Sequence, residues 1–222
     1  MATEIKVKPD SGPSGRIRAV FFDFGGVVAT EGFHQGLFAI ARSQGLDPEE
    51  FFQIAREAVY ESGYVTGTGT ESDFWDVVRS RTGIRGSSAE LSAECVDRFE
   101  LRPGMLELVR SLRALGAMTA ILSDQTDWLE RLDARTPFFQ EFDRVLNSYR
   151  LGKGKRDASL FDDAVRELGV APAAAVFIDD DPGNVSRAAE RGLHALLFRD
   201  EASLRRDLGA LLSGGLEQGT GC

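Results

Sequence analysis

Four groups of polar side chains stand at the ends of short apolar runs, and their residue types suit the transfer of a phosphoryl group. They are Asp23 in VFFDFGG, Ser123 in AILS, Lys153 and Lys155 in LGKGKRD, and Asp179, Asp180 and Asp181 in VFIDDDPGN. Each alone has an ordinary structural explanation, because Asp and Ser often occupy turns and helix caps. Three adjacent carboxylates are harder to explain, since they repel one another unless a cation or hydrogen-bond donors offset the charge.

Together these groups could form a complete site for attack by a carboxylate on a phosphate ester. Such an attack brings negative charges together, so it needs a divalent cation and a lysine to neutralise them. Mg²⁺ prefers oxygen ligands, and Asp23, Asp180 and the backbone carbonyl of Gly25 can supply three. Ser123 can donate to a phosphoryl oxygen, and the lysine can stabilise the charge that develops there.

The turn after Asp23 has little side-chain bulk, because Gly25 and Gly26 follow Phe24. Its backbone N–H groups can therefore complete a cradle for an anion. The pattern predicts a Mg²⁺-dependent phosphatase that hydrolyses a small phosphomonoester through an aspartyl-phosphate intermediate on Asp23.

Short buried strands would have to position these groups. Four apolar runs, at 17–23, 117–123, 174–179 and 194–198, are nearly continuous in apolar residues, and a weaker run lies at 143–148. Such runs suit a parallel sheet that is covered on both faces. Helical patterns with glycine stops separate them, at 103–116, 157–169 and 183–192. The alternation predicts an α/β fold with a doubly wound parallel sheet.

Residues 30–100 interrupt this alternation with four helical patterns. The third begins with Thr70 as a predicted N-cap and Asp73 three residues later, which is typical of a capping box. A helical bundle inserted after the first strand lies above the edge where such sheets bind ligands. We therefore interpret 30–100 as a cap domain, 16–29 with 101–212 as the core domain, and 1–15 and 213–222 as flexible tails.

The apolar positions of the first two cap helices are expected to form core stripes rather than ligand contacts. These positions are Phe33, Leu37 and Ile40 in the first, and Phe51, Ile54 and Val59 in the second. His34 could reach the active site from the first helix, but it is rather expected on the solvated face of that helix. Trp75 is expected to anchor the packing of the cap.

The composition excludes several classes of function. The 222 residues carry a formal net charge of −9, which argues against nucleic acid as a partner. Two cysteines and two histidines give neither a disulfide framework nor a zinc site. No run approaches the ~20 apolar residues that span a bilayer. We therefore predict a cytoplasmic monomer or homodimer that acts on a small molecule and not at a membrane.

The motifs resemble those of the haloacid dehalogenase-like (HAD) hydrolases, in the same order, over roughly residues 16–212: FFDFGGVV, ILSD, a loop lysine and VFIDDDPGN. The insertion is similar to the helical cap of the first type in that family. The resemblance implies a Rossmannoid core, with Asp23 as nucleophile, Ser123 as phosphate ligand and Asp180 as direct metal ligand. It also implies that Asp179 lies behind the metal and orients a water or the lysine.

The lysine of the third motif is assigned by its spacing to the following helix. The resemblance favours Lys155, although Arg156 stands where the family usually has proline, and Lys153 is the reserve choice.

Gly25 departs from the pattern of the family's phosphatases, which carry an Asp there as general acid and base. General acid–base assistance is worth about 10²–10⁴ in rate, so its loss requires an explanation. The substrate could have a good leaving group, as in a sugar-1-phosphate, since some sugar-1-phosphate phosphatases of the family resemble this chain in having glycine there. Alternatively Asp124, Asp181 or Glu31 could supply the proton.

Two other functions stay open at this point. The protein could be a slow or inactive relative that binds phosphate ligands for another purpose. It could also be a metal-independent 2-haloacid dehalogenase, which would use Asp23 in the same way, although the acidic cluster around Asp180 argues against this.

Overall fold

The computed structural model describes residues 16–214 of the chain, with side chains to residue 212. The predicted tail at 1–15 lies outside this range. The last helix continues to Gly214, so the predicted tail at 213–222 begins with two helical residues, and its remainder lies outside the described residues.

Five parallel strands form the sheet in the described part of the chain. They are β1 (Ala19–Phe22), β2 (Met118–Ser123), β3 (Arg144–Asn147), β4 (Ala175–Asp179) and β5 (His194–Leu197). Their order is β3-β2-β1-β4-β5, which places β1 at the centre. Phe22 pairs with Ile121 on one side and with Ile178 on the other, so the carboxyl ends of the three central strands lie within two residues of one another. The predicted doubly wound α/β fold is confirmed.

Side chains of successive strand residues point to opposite faces, and both faces are buried. Val20 and Phe22 pack into the larger apolar cluster, which also includes the helices of residues 32–96. Ala19 and Phe21 pack into a second cluster on the other face. Burial on both sides explains why β1 is a continuous apolar run rather than an alternating one.

Helices cover both faces of the sheet and fill the insertion. They are α1 (Gly32–Ser43), α2 (Pro48–Glu61), α3 (Glu71–Thr82), α4 (Ser88–Val96), α5 (Pro103–Ala114), α6 (Trp128–Arg135), α7 (Ser148–Leu151), α8 (Ser159–Glu167), α9 (Pro182–Glu190) and α10 (Glu201–Gly214). Sequence analysis missed α6, α7 and α10. Among the described helices, none combines the length and apolar character that crossing a bilayer requires.

The four helices expected at 30–100 are present as α1–α4, and α1 packs against both α2 and α4. Thr70 caps α3, and the side chain of Asp73 bonds back to the Thr70 N–H, as the capping box predicts. Trp75 is fully buried and donates Nε1–H to Ser92 Oγ at 2.8 Å. The division into a cap and a core remains our interpretation.

The insertion leaves and rejoins the rest of the chain through two adjacent segments. The Thr30 N–H donates to Glu100 O at 2.9 Å, and the Arg102 N–H donates to Val28 O at 2.9 Å. Because this paired connection begins just after β1, it positions α1 above the carboxyl edge of the sheet.

Candidate active site

Asp23 lies at the centre of the carboxyl edge. It follows β1 directly, and its N–H donates to Ile178 O at 2.8 Å, which continues the pairing with β4. Ser123, the last residue of β2, donates its hydroxyl to Asp23 Oδ1 at 2.6 Å. Lys155 Nζ lies 2.8 Å from the same oxygen. The structure therefore brings the three side chains into direct contact, although they are far apart in the sequence.

Lys155 is held between two carboxylates in the interior. Its side chain is 1% exposed, and Nζ also lies 2.6 Å from Asp179 Oδ2. Burial opposes the charged form, but the carboxylates of Asp179 and Asp23 outweigh it and raise the pKa of Lys155. Lys153, the reserve choice, instead pairs at the surface with Asp163 at 2.5 Å. Only Lys155 of the two reaches Asp23.

Asp179 is fully buried and held by several hydrogen bonds. Besides Lys155, it accepts from Asn184 Nδ2 at 3.1 Å and from the Asp181 N–H at 2.7 Å. Burial raises its pKa to about 6. These contacts suit a residue that orients the lysine, and they leave Asp180 as the more available carboxylate.

The donor set at this edge fits a hard divalent cation. Asp23, Asp179 and Asp180 each offer one carboxylate oxygen, and the three oxygens lie within 4.8 Å of one another. Burial by the cavity walls, together with the charge of Asp179, raises the pKa of Asp180 to about 6. Three ionised carboxylates this close repel one another, and a cation with oxygen ligands would neutralise their charge.

Gly26 closes the turn beside Asp180. Its φ is +79°, in the left-handed region, and a Cβ there would overlap the Asp180 carboxylate. Only glycine therefore allows the backbone and this carboxylate to approach so closely.

Glu31 occupies the space that a side chain at position 25 would fill. A Cβ added to Gly25 would lie 2.5 Å from Glu31 Oε2. Glu31 faces the same cavity as Asp23, and its side chain caps α1 through a long hydrogen bond, 3.4 Å, from the His34 N–H. Burial raises its pKa to about 8, and the charges of Asp180 and Asp23 add to this rise.

The other two candidate proton donors are held by structural contacts. Asp124 accepts the Lys155 N–H at 2.8 Å and also accepts from the hydroxyl of Tyr60. Asp181 caps α9, where it accepts from the Gly183 N–H at 2.7 Å, as an ordinary N-cap residue does. Of the three carboxylates left open by the sequence, Glu31 is the one beside Gly25.

A cavity of about 380 Å³ lies above these groups, between α1 and α2 on one side and the sheet edge on the other. Its lining includes eight residues of the stretch 30–65: Glu31, Phe33, His34, Phe52, Arg56, Val59, Tyr60 and Val65. Val59 is buried in the core cluster and Phe33 packs against that cluster, as expected, although both also line the cavity. The expectation that His34 lies on a solvated face is wrong, because it is half-buried and lines the cavity. Because α1 begins at Gly32, directly after the connection from β1, its first turn faces the cavity.

Polar contacts hold α2 against the sheet edge. Arg156 forms two hydrogen bonds with Glu57, at 2.8 and 3.0 Å, and its Cζ lies 3.7 Å from the centroid of the Tyr60 ring. Arg56 lies 3.3 Å from Asp181. Sequence analysis missed Tyr60, Arg56 and Glu57, because helical spacing indicates which side of a helix is apolar but not what its polar side faces.

A sequence model of the haloacid dehalogenase-like hydrolases matches residues 17–191, a span that contains all the groups described above. The chain therefore belongs to the haloacid dehalogenase-like hydrolase family. The parallel sheet with convergent carboxylates at its edge is the arrangement that the motifs implied.

Three relatives illustrate the range of this similarity. Flavin mononucleotide hydrolase 1 of Arabidopsis thaliana is 32% identical over 119 residues, which are 53% of this chain and 49% of that protein. A HAD family enzyme of Bacteroides thetaiotaomicron, solved in complex with magnesium and inorganic phosphate, has a TM-score of 0.66 at 22% identity and covers 85% of this chain and 98% of its own. L-2-haloacid dehalogenase of Xanthobacter autotrophicus, with chloropropionic acid covalently bound, has a TM-score of 0.62 at 20% identity over 87% and 83% of the two chains.

The chain spans about half or less of the length of the curated relatives it matches. The structural neighbours, at these identities, support the fold alone. The reaction and its substrate must therefore be argued from the site.

Proposed function

We propose that the protein is a Mg²⁺-dependent phosphatase that hydrolyses a small phosphomonoester through a covalent intermediate on Asp23. The observation that carries this proposal is the contact of Asp23 Oδ1 with both Ser123 Oγ and Lys155 Nζ, at 2.6 and 2.8 Å, on the floor of the cavity. A carboxylate nucleophile with a hydroxyl donor and a cation beside it suits attack on an anionic phosphoryl group. The cytoplasm stays the predicted location.

The reaction divides into two displacements at phosphorus. A carboxylate oxygen of Asp23 attacks, the bond from phosphorus to the ester oxygen breaks, and the alcohol leaves with a proton. A water molecule then attacks the aspartyl phosphate, which releases inorganic phosphate and regenerates the Asp23 carboxylate. Lys155 offsets the negative charge on the phosphoryl oxygens in both steps, and Ser123 donates a hydrogen bond to one of them.

Asp23, Asp180 and the backbone carbonyl of Gly25 would hold the Mg²⁺. When bound, the ion supplies Lewis acidity and lowers the repulsion between the nucleophile and the phosphate. Asp179 acts through Lys155, which it keeps charged and oriented. A magnesium and phosphate complex of the Bacteroides thetaiotaomicron enzyme supports the choice of ion.

Glu31 is our candidate for the general acid and base. It would donate its proton to the departing ester oxygen in the first displacement and accept one from water in the second. Its carboxyl group occupies the volume next to Gly25, so it offers the function that the missing side chain at position 25 would have had.

The test is phosphate release from a panel of phosphomonoesters with Mg²⁺, with and without a chelator. Asp23→Asn should abolish turnover, because an amide is a poor nucleophile, and removal of Mg²⁺ should have the same effect. Asp207→Asn, at an exposed site on α10, is the matched control and should behave as wild type. Turnover by Asp23→Asn at the wild-type rate would refute the assignment of the nucleophile.

Two alternatives are separated by the same assays. A slow or inactive phosphate-binding relative would bind phosphate analogues but show negligible turnover. This alternative is worth testing because position 25 carries no carboxylate. A haloacid dehalogenase would release halide from a 2-haloacid without metal.

A further inference from the structure

One wall of the cavity is aromatic. We define the aromatic wall as Phe33 and His34 of α1, Phe52 of α2 and Trp128 of α6, all of which line the cavity. The rings contact one another: Phe33 and Phe52 are 6.3 Å apart between centroids, His34 and Phe52 are 4.7 Å apart, and Phe33 and Trp128 are 6.2 Å apart. The wall is therefore one continuous surface.

This surface is not simply the interior of the helical bundle. Leu37 and Phe51, on the same two helices, are fully buried between elements, and Trp128 of the wall is fully buried too, whereas Phe33 and Phe52 remain half-buried and face the cavity. Apolar and aromatic side chains that line a concave site, with a few polar groups at its floor, are typical of a surface that binds the apolar part of a ligand.

The arginines of the cavity already have partners. Arg56 is paired with Asp181, and Arg156 is paired with Glu57. Arg187 donates to Lys155 O at 2.8 Å and to the side chain of Asn184. Arg56 and Arg156 are thus compensated by carboxylates, whereas the partners of Arg187 are neutral oxygens.

We propose that the substrate is a phosphomonoester whose leaving group contains a flat aromatic ring, which stacks against Phe33 and Phe52 while the phosphate lies at Asp23. This rests on the proposed function for the position of the phosphate. Aromatic rings prefer offset or edge-to-face contacts at the spacing found within the wall, and a ring lying against Phe33 and Phe52 would extend that arrangement.

The experiment compares the binding of phenylphosphonate and methylphosphonate by calorimetry with Mg²⁺ present. Their C–P bonds resist hydrolysis, so binding is measured independently of turnover. Phenylphosphonate should bind about 10-fold more tightly, because the ring buries apolar surface that the methyl group lacks. Phe52→Leu should weaken phenylphosphonate binding about 2- to 10-fold and leave methylphosphonate unchanged.

Phe139→Leu is the matched control, since this half-buried ring packs against Phe138 outside the cavity. Phe33→Leu provides a second variant if Phe52→Leu proves unstable in thermal unfolding. Equal affinity for the two phosphonates, or equal weakening of both by Phe52→Leu, would overturn the aromatic wall as a substrate surface.

The failure of this inference can be told apart from failure of the proposed function. A wild-type enzyme that hydrolyses sugar phosphates in preference to aryl phosphates would refute the substrate class alone. Selective binding of phenylphosphonate without turnover of any phosphomonoester would refute the phosphatase alone.

Discussion

Exchanging the carboxylate between positions 31 and 25 is the sharpest way to test how the site handles protons. In Glu31→Ala the carboxyl group beside Gly25 is lost. Adding Gly25→Asp in that background returns a carboxyl group to the same volume from the other side. The space is available, because after Glu31 the nearest neighbour of a Cβ at position 25 is Phe99 Cε1, at 3.4 Å. Gly25 is also absent from the glycines with positive φ, so its backbone accepts an Asp.

The expected magnitudes follow from the role assigned to Glu31. Loss of a general acid lowers kcat by about 10²–10⁴ when the leaving alkoxide needs a proton. The loss should be much smaller with 4-nitrophenyl phosphate, whose leaving group departs as a stable anion. The double variant should recover a substantial part of kcat on alkyl phosphates. Gly25→Asp alone should bring no gain over wild type, since the introduced carboxylate and Glu31 would compete for one volume and repel each other.

The assay is steady-state phosphate release by the four proteins on one alkyl and one aryl ester, with Mg²⁺ saturating. A double-mutant cycle then gives the coupling between the two positions. An equal loss on both esters in Glu31→Ala would indicate that Glu31 acts on the fold or the metal site and not on the proton. If Glu31→Ala lost no activity on either ester, Asp124, Asp181 or water would be the proton donor instead.

Two further predictions concern the charged groups on the floor of the cavity. Lys155→Met should lower the free energy of unfolding by about 3–5 kcal/mol in urea denaturation, because it leaves two buried carboxylates uncompensated. The control Lys153→Met should leave the urea midpoint nearly unchanged. Equal effects of the two substitutions would contradict the buried pairing of Lys155. Mg²⁺ at about 100 times its Kd should raise the free energy of unfolding of wild type by about 2.7 kcal/mol in thermal melts. Asp180→Asn should remove that gain without lowering stability in the absence of Mg²⁺, and an unchanged gain would mean that Asp180 is not a ligand.

The sheet and its edge could be predicted because the signals are local. A strand buried on both faces must be apolar at nearly every position, and the runs ending at Asp23, Ser123 and Asp179 satisfy this. Parallel strands whose carboxyl ends lie within two residues of one another then bring these residues together whatever the connecting helices do. The order of the motifs indicated the family, and the resemblance to that family favoured Lys155 over Lys153 as the lysine of the site.

The side of the cavity formed by Glu31 and the start of α1 could not be predicted in the same way. His34 and Phe33 are adjacent on α1, and helical periodicity alone cannot say whether a half-buried position faces solvent or a cavity. That depends on how the connection at 28–30 and 100–102 orients the helix. The contact between Glu31 and Gly25 also depends on the tertiary structure, since no local pattern relates a glycine to a carboxylate six residues later.

The balance of charge on the floor of the cavity links the fold to the chemistry. Asp23, Asp179 and Asp180 contribute three negative charges when ionised, and Lys155 contributes one positive charge, so an excess of two negative charges remains. Such a floor repels a phosphate dianion, and a divalent cation offsets the excess. The acidity that by itself would oppose an anionic substrate is therefore what makes binding of the ester depend on the metal. It also explains why the buried lysine must sit between two of the carboxylates rather than face the solvent.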